Sequence, residues 1–190
     1  MKKNIILLII SVFLFASCIS DGTSSATESS EENTHIEMSS PLEEDISISG
    51  LTYILPEYRW NEGELSSTQH VYYRGGDFNT VLCVAYQTPI NIETILGECV
   101  EEIRESEHLT RIAVENGVFQ IYPCVYVTVT YEYDFDTTNN PQVKTNFHQY
   151  ILFFVANNGL YTVQITTPSD LSVYIGDFNE IIDSIVITPI

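Results

Sequence analysis

The sequence predicts an α+β domain: a largely antiparallel sheet with two main helices packed on it. Three observations carry this. Strand-like runs are joined by short Gly- and Asn-containing turns, as antiparallel hairpins require. The apolar period changes to that of a helix at two places, over 91–106 and again from about Asp170. From Ile46 on, about 145 residues have the composition of a folded body, the usual size of one domain with a real core.

In chain order, "ISGLTYILP" alternates as a strand and stops at Pro56. "STQHVYYRG" and "FNTVLCVAYQ" flank Gly75-Gly76-Asp77, a turn suited to a hairpin. Ile92, Ile95, Leu96, Cys99, Val100 and Ile103 then form one helical face, and Pro89 and Asn91 suit the helix start. Glu101, Glu102 and Glu105 lie off that stripe. In "LTRIAVENGVFQIYPCVYVTVTYEYDF", Asn116-Gly117 signals a hairpin ahead of a long strand. Val125, Val127, Val129, Tyr131, Tyr133 and Phe135 take one side of it, and Tyr126, Thr128, Thr130, Glu132, Asp134 and Asp136 the other. "NFHQYILFFVA" and "LYTVQITT" pair through Asn157-Asn158-Gly159. A second helix starts near Asp170, capped by Ser169, with Leu171, Tyr174, Phe178, Ile181, Ile182 and Ile185 inward and a local bend allowed at Gly176. The order is β-β-β-α-β-β-β-β-α, and the doubly apolar "ILFFV" places the sheet centre under cover on both sides.

The opening "GLTYILPEYRW", the mid-chain helix, the long central hairpins and the closing "FNEIIDSIVI" together resemble the PsbP-like fold, an α/β/α sandwich, over roughly 50–187. The resemblance implies an accessory or binding role beside a membrane complex and no enzymatic activity. It brings no functional residue with it, because no site motif of the family is recognisable in this chain.

The beginning of the chain has a different character. Lys2 and Lys3 precede an apolar run from Ile5 to Phe15, broken only by Ser11, which is the layout of an export signal and too short to span a bilayer. Phe15-Ala16-Ser17-Cys18 resembles the bacterial lipobox, departing from it at Phe15, where Leu is usual. Cleavage before Cys18 and diacylglyceryl attachment to its thiol are expected, leaving residues 1–17 as a signal peptide. Two or more acyl chains hold a protein stably at a membrane where one does not.

Cleavage removes both lysines and no acid, taking the formal charge from −19 to −21. Such a charge opposes binding to nucleic acid. It also gives the body no electrostatic attraction to anionic lipid, so attachment falls to the acyl chains. Residues 18–45 are rich in Ser, Thr and Glu, carry eight acids and no base, and read as a disordered, extended tether. His35 and Met38 within it read as incidental. Residues 46–190 form the single globular domain.

The chemistry-bearing residues do not assemble by spacing. Cys83, Cys99 and Cys124 remain after Cys18; two of them could pair outside the cytoplasm, and a Cys99–Cys124 bridge requires the helix to cover the face of Cys124. No zinc spacing, Gly-x-Ser-x-Gly turn or glycine-rich phosphate loop occurs. His70, His108 and His148 sit on separate elements. "YEYDFDTTNNP" offers Glu132, Asp134 and Asp136, but a calcium loop fails at Asn139 and Thr145, where glycine and glutamate are needed. No catalytic residue, cofactor or metal is therefore expected. Tyr122, Tyr126, His148 and Tyr150 share one sheet face if the two long strands are neighbours. Covered by a helix they are core; open, they suit a peptide, glycan or protein partner. The expected function is that of a membrane-anchored, extracytoplasmic, non-enzymatic binding or accessory module for an envelope component. The alternatives are a small-molecule, peptide or glycan binder and, behind it, a hydrolase with a dispersed site.

Overall fold

Hairpin after hairpin builds most of the body. In a computed structural model of the chain, residues 46–56, 59–137 and 140–189 are described; the expected signal peptide, Cys18 and the expected tether lie outside them. The strands are β1 (Ile46–Ile48), β2 (Leu51–Tyr53), β3 (Trp60–Leu65), β4 (Gln69–Arg74), β5 (Asp77–Gln87), β6 (Leu109–Phe119), β7 (Tyr122–Thr137), β8 (Asn140–Ala156), β9 (Gly159–Thr167) and β10 (Val186–Ile187). The helices are α1 (Ile95–Arg104) and α2 (Ile175–Ser184), the latter preceded by a 3-10 turn at Leu171–Val173. β3 to β9 form one antiparallel sheet in the order β3-β4-β5-β9-β8-β7-β6, and β1-β2-β10 form a second, small one. This is the α+β class that the sequence predicts.

Four local expectations are corrected. The strand read through "ISGLTYILP" is two strands, because Ser49 and Gly50 both take positive φ (48° and 80°) and fold β1 back on β2. Asn116-Gly117 is no turn: both residues pair across to Val125 and Cys124, and the chain reverses at Gln120, whose φ is 56°. The first helix begins after Thr94, so Ile92 precedes it. The last begins as the 3-10 turn capped by Asp170, not Ser169, and turns α-helical after Tyr174. Asn157-Asn158 does reverse the chain, with positive φ at both (49° and 57°), the geometry of a type I′ turn.

Each face of the large sheet carries a helix. On one, α2 and the small sheet bury Tyr53, Tyr72, Leu152, Phe154, Tyr161, Phe178 and Ile181 in one cluster. On the other, α1 lays Ile95, Cys99, Val100 and Ile103 on Val125, Val127, Val129, Tyr131, Ile151 and Phe153. Beside this, Val71, Val81, Cys83 and Ala85 of β4 and β5 make a separate apolar group. A polar seam of Thr162, Gln164 and Thr166 on β9 and Gln149 on β8 is buried between them. α2 is fixed to the far edge by charge: Arg59 Nη1 donates to Asp177 Oδ1 at 2.6 Å, and Arg74 lies 3.5 Å from Oδ2 and stacks over Trp60. Asp177 is 4% exposed, which makes this a structural pairing of helix to sheet.

Candidate cleft on the open half of the sheet

α2 covers the middle of its face and leaves the β6–β7 edge open. Cross-strand register decides what stands there. Arg111, Thr130 and His148 form one row across β6, β7 and β8, and Ala113, Thr128 and Tyr150 form the next. Arg111, Ala113, Thr128, Thr130 and His148 of these rows, with Asp170 and Leu171 from the turn before α2, line an open cleft of about 600 Å³. That volume lies within the ordinary range of ligand sites. Tyr150 marks its inner boundary, since its ring meets Phe178 of α2 at 4.6 Å and stacks on Tyr126 at 6.3 Å. Burial raises the pKa of both phenols, so they stay protonated and neutral.

Arg111 owes its place to a β-bulge. Leu109 pairs with Tyr131 and belongs to the apolar cluster under α1, and in a regular strand Arg111, two residues on, would share that side. The register shifts between them, so Arg111 pairs with Thr130 and turns to the cleft face. Thr110, the extra residue, donates its hydroxyl to the Thr130 carbonyl at 3.0 Å and fixes the bulge.

The cleft is polar and of mixed charge. Thr130 Oγ1 and His148 Nδ1 are 3.1 Å apart, which engages one imidazole nitrogen. Asp170 Oδ1 accepts from the Ser172 backbone N–H at 2.9 Å, and this bond holds its carboxyl below the usual range, so it is ionised. Five of the seven Lys and Arg fall among the described residues. Arg59 and Arg74 pair with Asp177, Arg104 with Glu101, and Lys144 with Glu132. Arg111 is the one cation among the described residues that makes no ion pair.

The residues weighed from the sequence are distributed as follows. β7 and β8 are neighbours, so Tyr122, Tyr126, His148 and Tyr150 do share a face; the helix covers Tyr150 in part and leaves the His148 end open. His70 is buried and belongs to a Tyr53–His70–Tyr72 group, with the Tyr53 hydroxyl 2.8 Å from Nδ1 and 2.7 Å from the Tyr72 hydroxyl. His108 packs its ring against Tyr133, centroids 4.4 Å apart and tilted by 33°.

Cys83, Cys99 and Cys124 are free thiols, and the bridge considered between Cys99 and Cys124 is ruled out because they lie on opposite faces of the sheet. Burial pushes Cys83 up to about 11 and Cys99 up to about 12, far from the range of a reactive thiol. Of the acidic stretch, Glu132 is paired with Lys144 at 2.6 Å, and residues 138–139 lie outside the described residues. Among the described residues no cluster of His, Cys, Asp and Glu is placed to hold a metal, and no helix is long and apolar enough to cross a membrane. Sequence reasoning missed two charged residues of the cleft, Asp170, which it read only as a helix start, and Arg111. For Arg111 the available signal was the irregular step from Leu109 to Ile112 in "LTRIAV".

A scan of protein-family models finds no match to the chain, and a search of curated proteins finds none. Among solved structures the chain is similar to a protein of Bacteroides thetaiotaomicron (11% identity, TM-score 0.46), over 73% of this chain and 45% of that one. The chain thus spans less than half of that protein. It is also similar to the cyanobacterial PsbP of Synechocystis (13%, TM-score 0.41, 73% and 87% covered). A third likeness is to LpqN of Mycobacterium tuberculosis, described as involved in cell envelope biogenesis (14%, TM-score 0.45, 73% and 83% covered). At these identities and scores the likenesses carry no argument about what the chain does.

Proposed function

We propose that the mature chain is an extracytoplasmic lipoprotein, held at the membrane by lipid on Cys18 and lifted from it by residues 19–45. Its domain acts as a non-enzymatic binding or accessory module that receives an envelope component in the cleft. The observation that supports this reading is the bulge that turns Arg111, a cation without an ion pair, onto an open cleft lined by Thr128, Thr130, His148 and Asp170. A bulge disrupts the ladder locally, and bulges commonly re-aim side chains beside sites. Here it places a guanidinium among hydroxyl, imidazole and carboxylate groups that can bind and orient a polar molecule.

Site-specific photo-crosslinking in native membranes tests the proposal. A photoreactive residue at exposed Thr128 is expected to give a discrete adduct, whereas the same residue at Glu105, behind α1, gives none. Equal labelling at both positions, or none at Thr128, would rule the cleft out as a binding surface. In the same cells Cys18→Ala should abolish acyl labelling and release the protein from the membrane fraction. Unchanged retention would remove the anchor.

A further inference from the structure

The cleft has a direction. Arg111 lies on the outer strand β6, and Asp170 lies on the turn leading into α2, on the cleft's other wall. The two oppositely charged groups line one cleft yet form no ion pair with each other. Between them stand the Thr128 and Thr130 hydroxyls and the His148 ring, whose Nε2 is left over by the Thr130 contact. Asp170 is held by the Ser172 backbone N–H and hydroxyl, and a carboxylate's four lone-pair sites leave it able to accept further hydrogen bonds.

The rest of the molecule sharpens the contrast. All four other cations of the described body are engaged by carboxylates, so their charge is neutralised locally. Within a strongly acidic protein, Arg111 is then the point where a ligand's negative group finds a partner that no side chain already occupies. Guanidinium is also the side chain best matched to a planar or tetrahedral oxyanion, through two parallel hydrogen bonds. The overall negative charge acts at longer range and is screened beyond about 8 Å at physiological salt, whereas a direct contact is not. Asp170 on the α2 turn gives the opposite wall of the cleft the opposite charge.

Resting on the binding-module reading above, we infer that the cleft takes a small, hydroxyl-rich ligand carrying one acidic group. The carboxylate or phosphate lies against Arg111. A hydroxyl donates to Asp170, and other ligand hydroxyls meet Thr128, Thr130 and His148. Acidic sugars have this chemistry, from either a uronate or a sugar phosphate.

Calorimetric titration of the full chain in detergent with glucuronate, glucose 6-phosphate and glucose tests this, and the two acidic probes separate the carboxylate source from the phosphate source. At least one acidic probe is expected to bind, and glucose is expected to bind at least tenfold more weakly. Arg111→Gln should weaken the acidic probe at least tenfold, about 1.4 kcal/mol, while Arg111→Lys retains part of the affinity. Raising salt from about 20 to about 200 mM should weaken it as well.

Glucose binding as tightly as its acidic counterparts, an unchanged affinity in Arg111→Gln, or no binding by any probe up to about 10 mM would overturn the inference. The Thr128 crosslinking result stands apart from these outcomes. An adduct there with no acidic-sugar binding would keep the cleft as a binding surface and discard only this ligand class.

Discussion

Gln149 is the side chain whose replacement should make this protein more stable. It is 0% exposed on β8, and neither its Nε2 nor its Oε1 has a hydrogen-bond partner. Its cross-strand neighbours explain why. On one side the Val129 side chain has no polar group; on the other, the Thr166 hydroxyl is turned to Gln164 Nε2 at 2.8 Å and makes no bond to the Gln149 amide. Burying an amide without partners costs about 1–3 kcal/mol. Methionine has a similar length, fills irregular space and leaves no unmet polar group. Repacking of a similar volume costs less than about 1.5 kcal/mol. Gln149→Met should therefore stabilise the fold by about 1–2 kcal/mol, raising Tm by roughly 2–8 °C for a domain of this size. Urea unfolding at constant m-value measures it.

A control sharpens the test. In Gln149→Glu, desolvation raises the folded-state carboxyl pKa above its unfolded value of about 4.3, so the protonated form is what the fold tolerates. Relative to wild type this variant should do best below pH ~4. It should lose stability as pH rises from there to the raised folded value, at about 1.36 kcal/mol for each pH unit separating the two. A Met variant less stable than wild type, with a Glu variant indifferent to pH, would show that the amide is satisfied and the site wet.

Three further outcomes follow from named contacts. Burial lowers the His70 pKa despite the Ser66 carbonyl and Glu62; a depressed folded value means stability is intact above pH ~6.5 and is lost as pH falls through that window, so His70→Asn should unfold with a flatter dependence between pH 7.5 and 5 in urea titrations, and parallel curves would refute it. Phe178 is 0% exposed and meets Tyr150; Phe178→Ala should cost about 3–5 kcal/mol in the same assay, and a loss under about 1 kcal/mol would show that α2 does not seal that face. In a Cys18→Ser, Cys124→Ala background the thiols of Cys83 and Cys99, held at about 11 and about 12, should react with Ellman's reagent at pH 8 only as fast as the chain unfolds; a prompt equivalent of thiolate would contradict their burial.

What the sequence made legible was what local physics dictates. The type I′ turn at Asn157-Asn158 needs positive φ twice, and asparagine tolerates it, so the hairpin is visible in the residues themselves. The helical stripes of α1 and α2 are visible for the same kind of reason, because one apolar face each must be buried. Asn116-Gly117 carries an equally strong local signal and is overruled by tertiary structure. Phe119 pairs with Tyr122 and packs against Phe154, and Gln120 donates to the Ile185 carbonyl at 2.8 Å, so the turn is held four residues further on. β3 gave no signal at all: "WNEGEL" is an exposed edge strand with no apolar alternation to read. The small sheet was hidden for another reason, since β2 is completed by β10, where Val186 pairs with Thr52.

The cleft combines both kinds of information, which is why only half of it could be foreseen. Tyr126, His148 and Tyr150 fall on one side of their strands by simple alternation. Arg111 does so only because Thr110 is extra, and the clue was a single misplaced step between apolar residues. Its lack of an ion pair is a further step removed, because it is a property of the other cations. Arg104 pairs three residues along its own helix, whereas Arg59 and Arg74 find Asp177 more than a hundred residues away. Composition counts charges without saying which are neutralised. In a chain so rich in acid, one would expect every base to be claimed, and the fold instead sets the single exception among the described residues on a wall where a ligand can reach it.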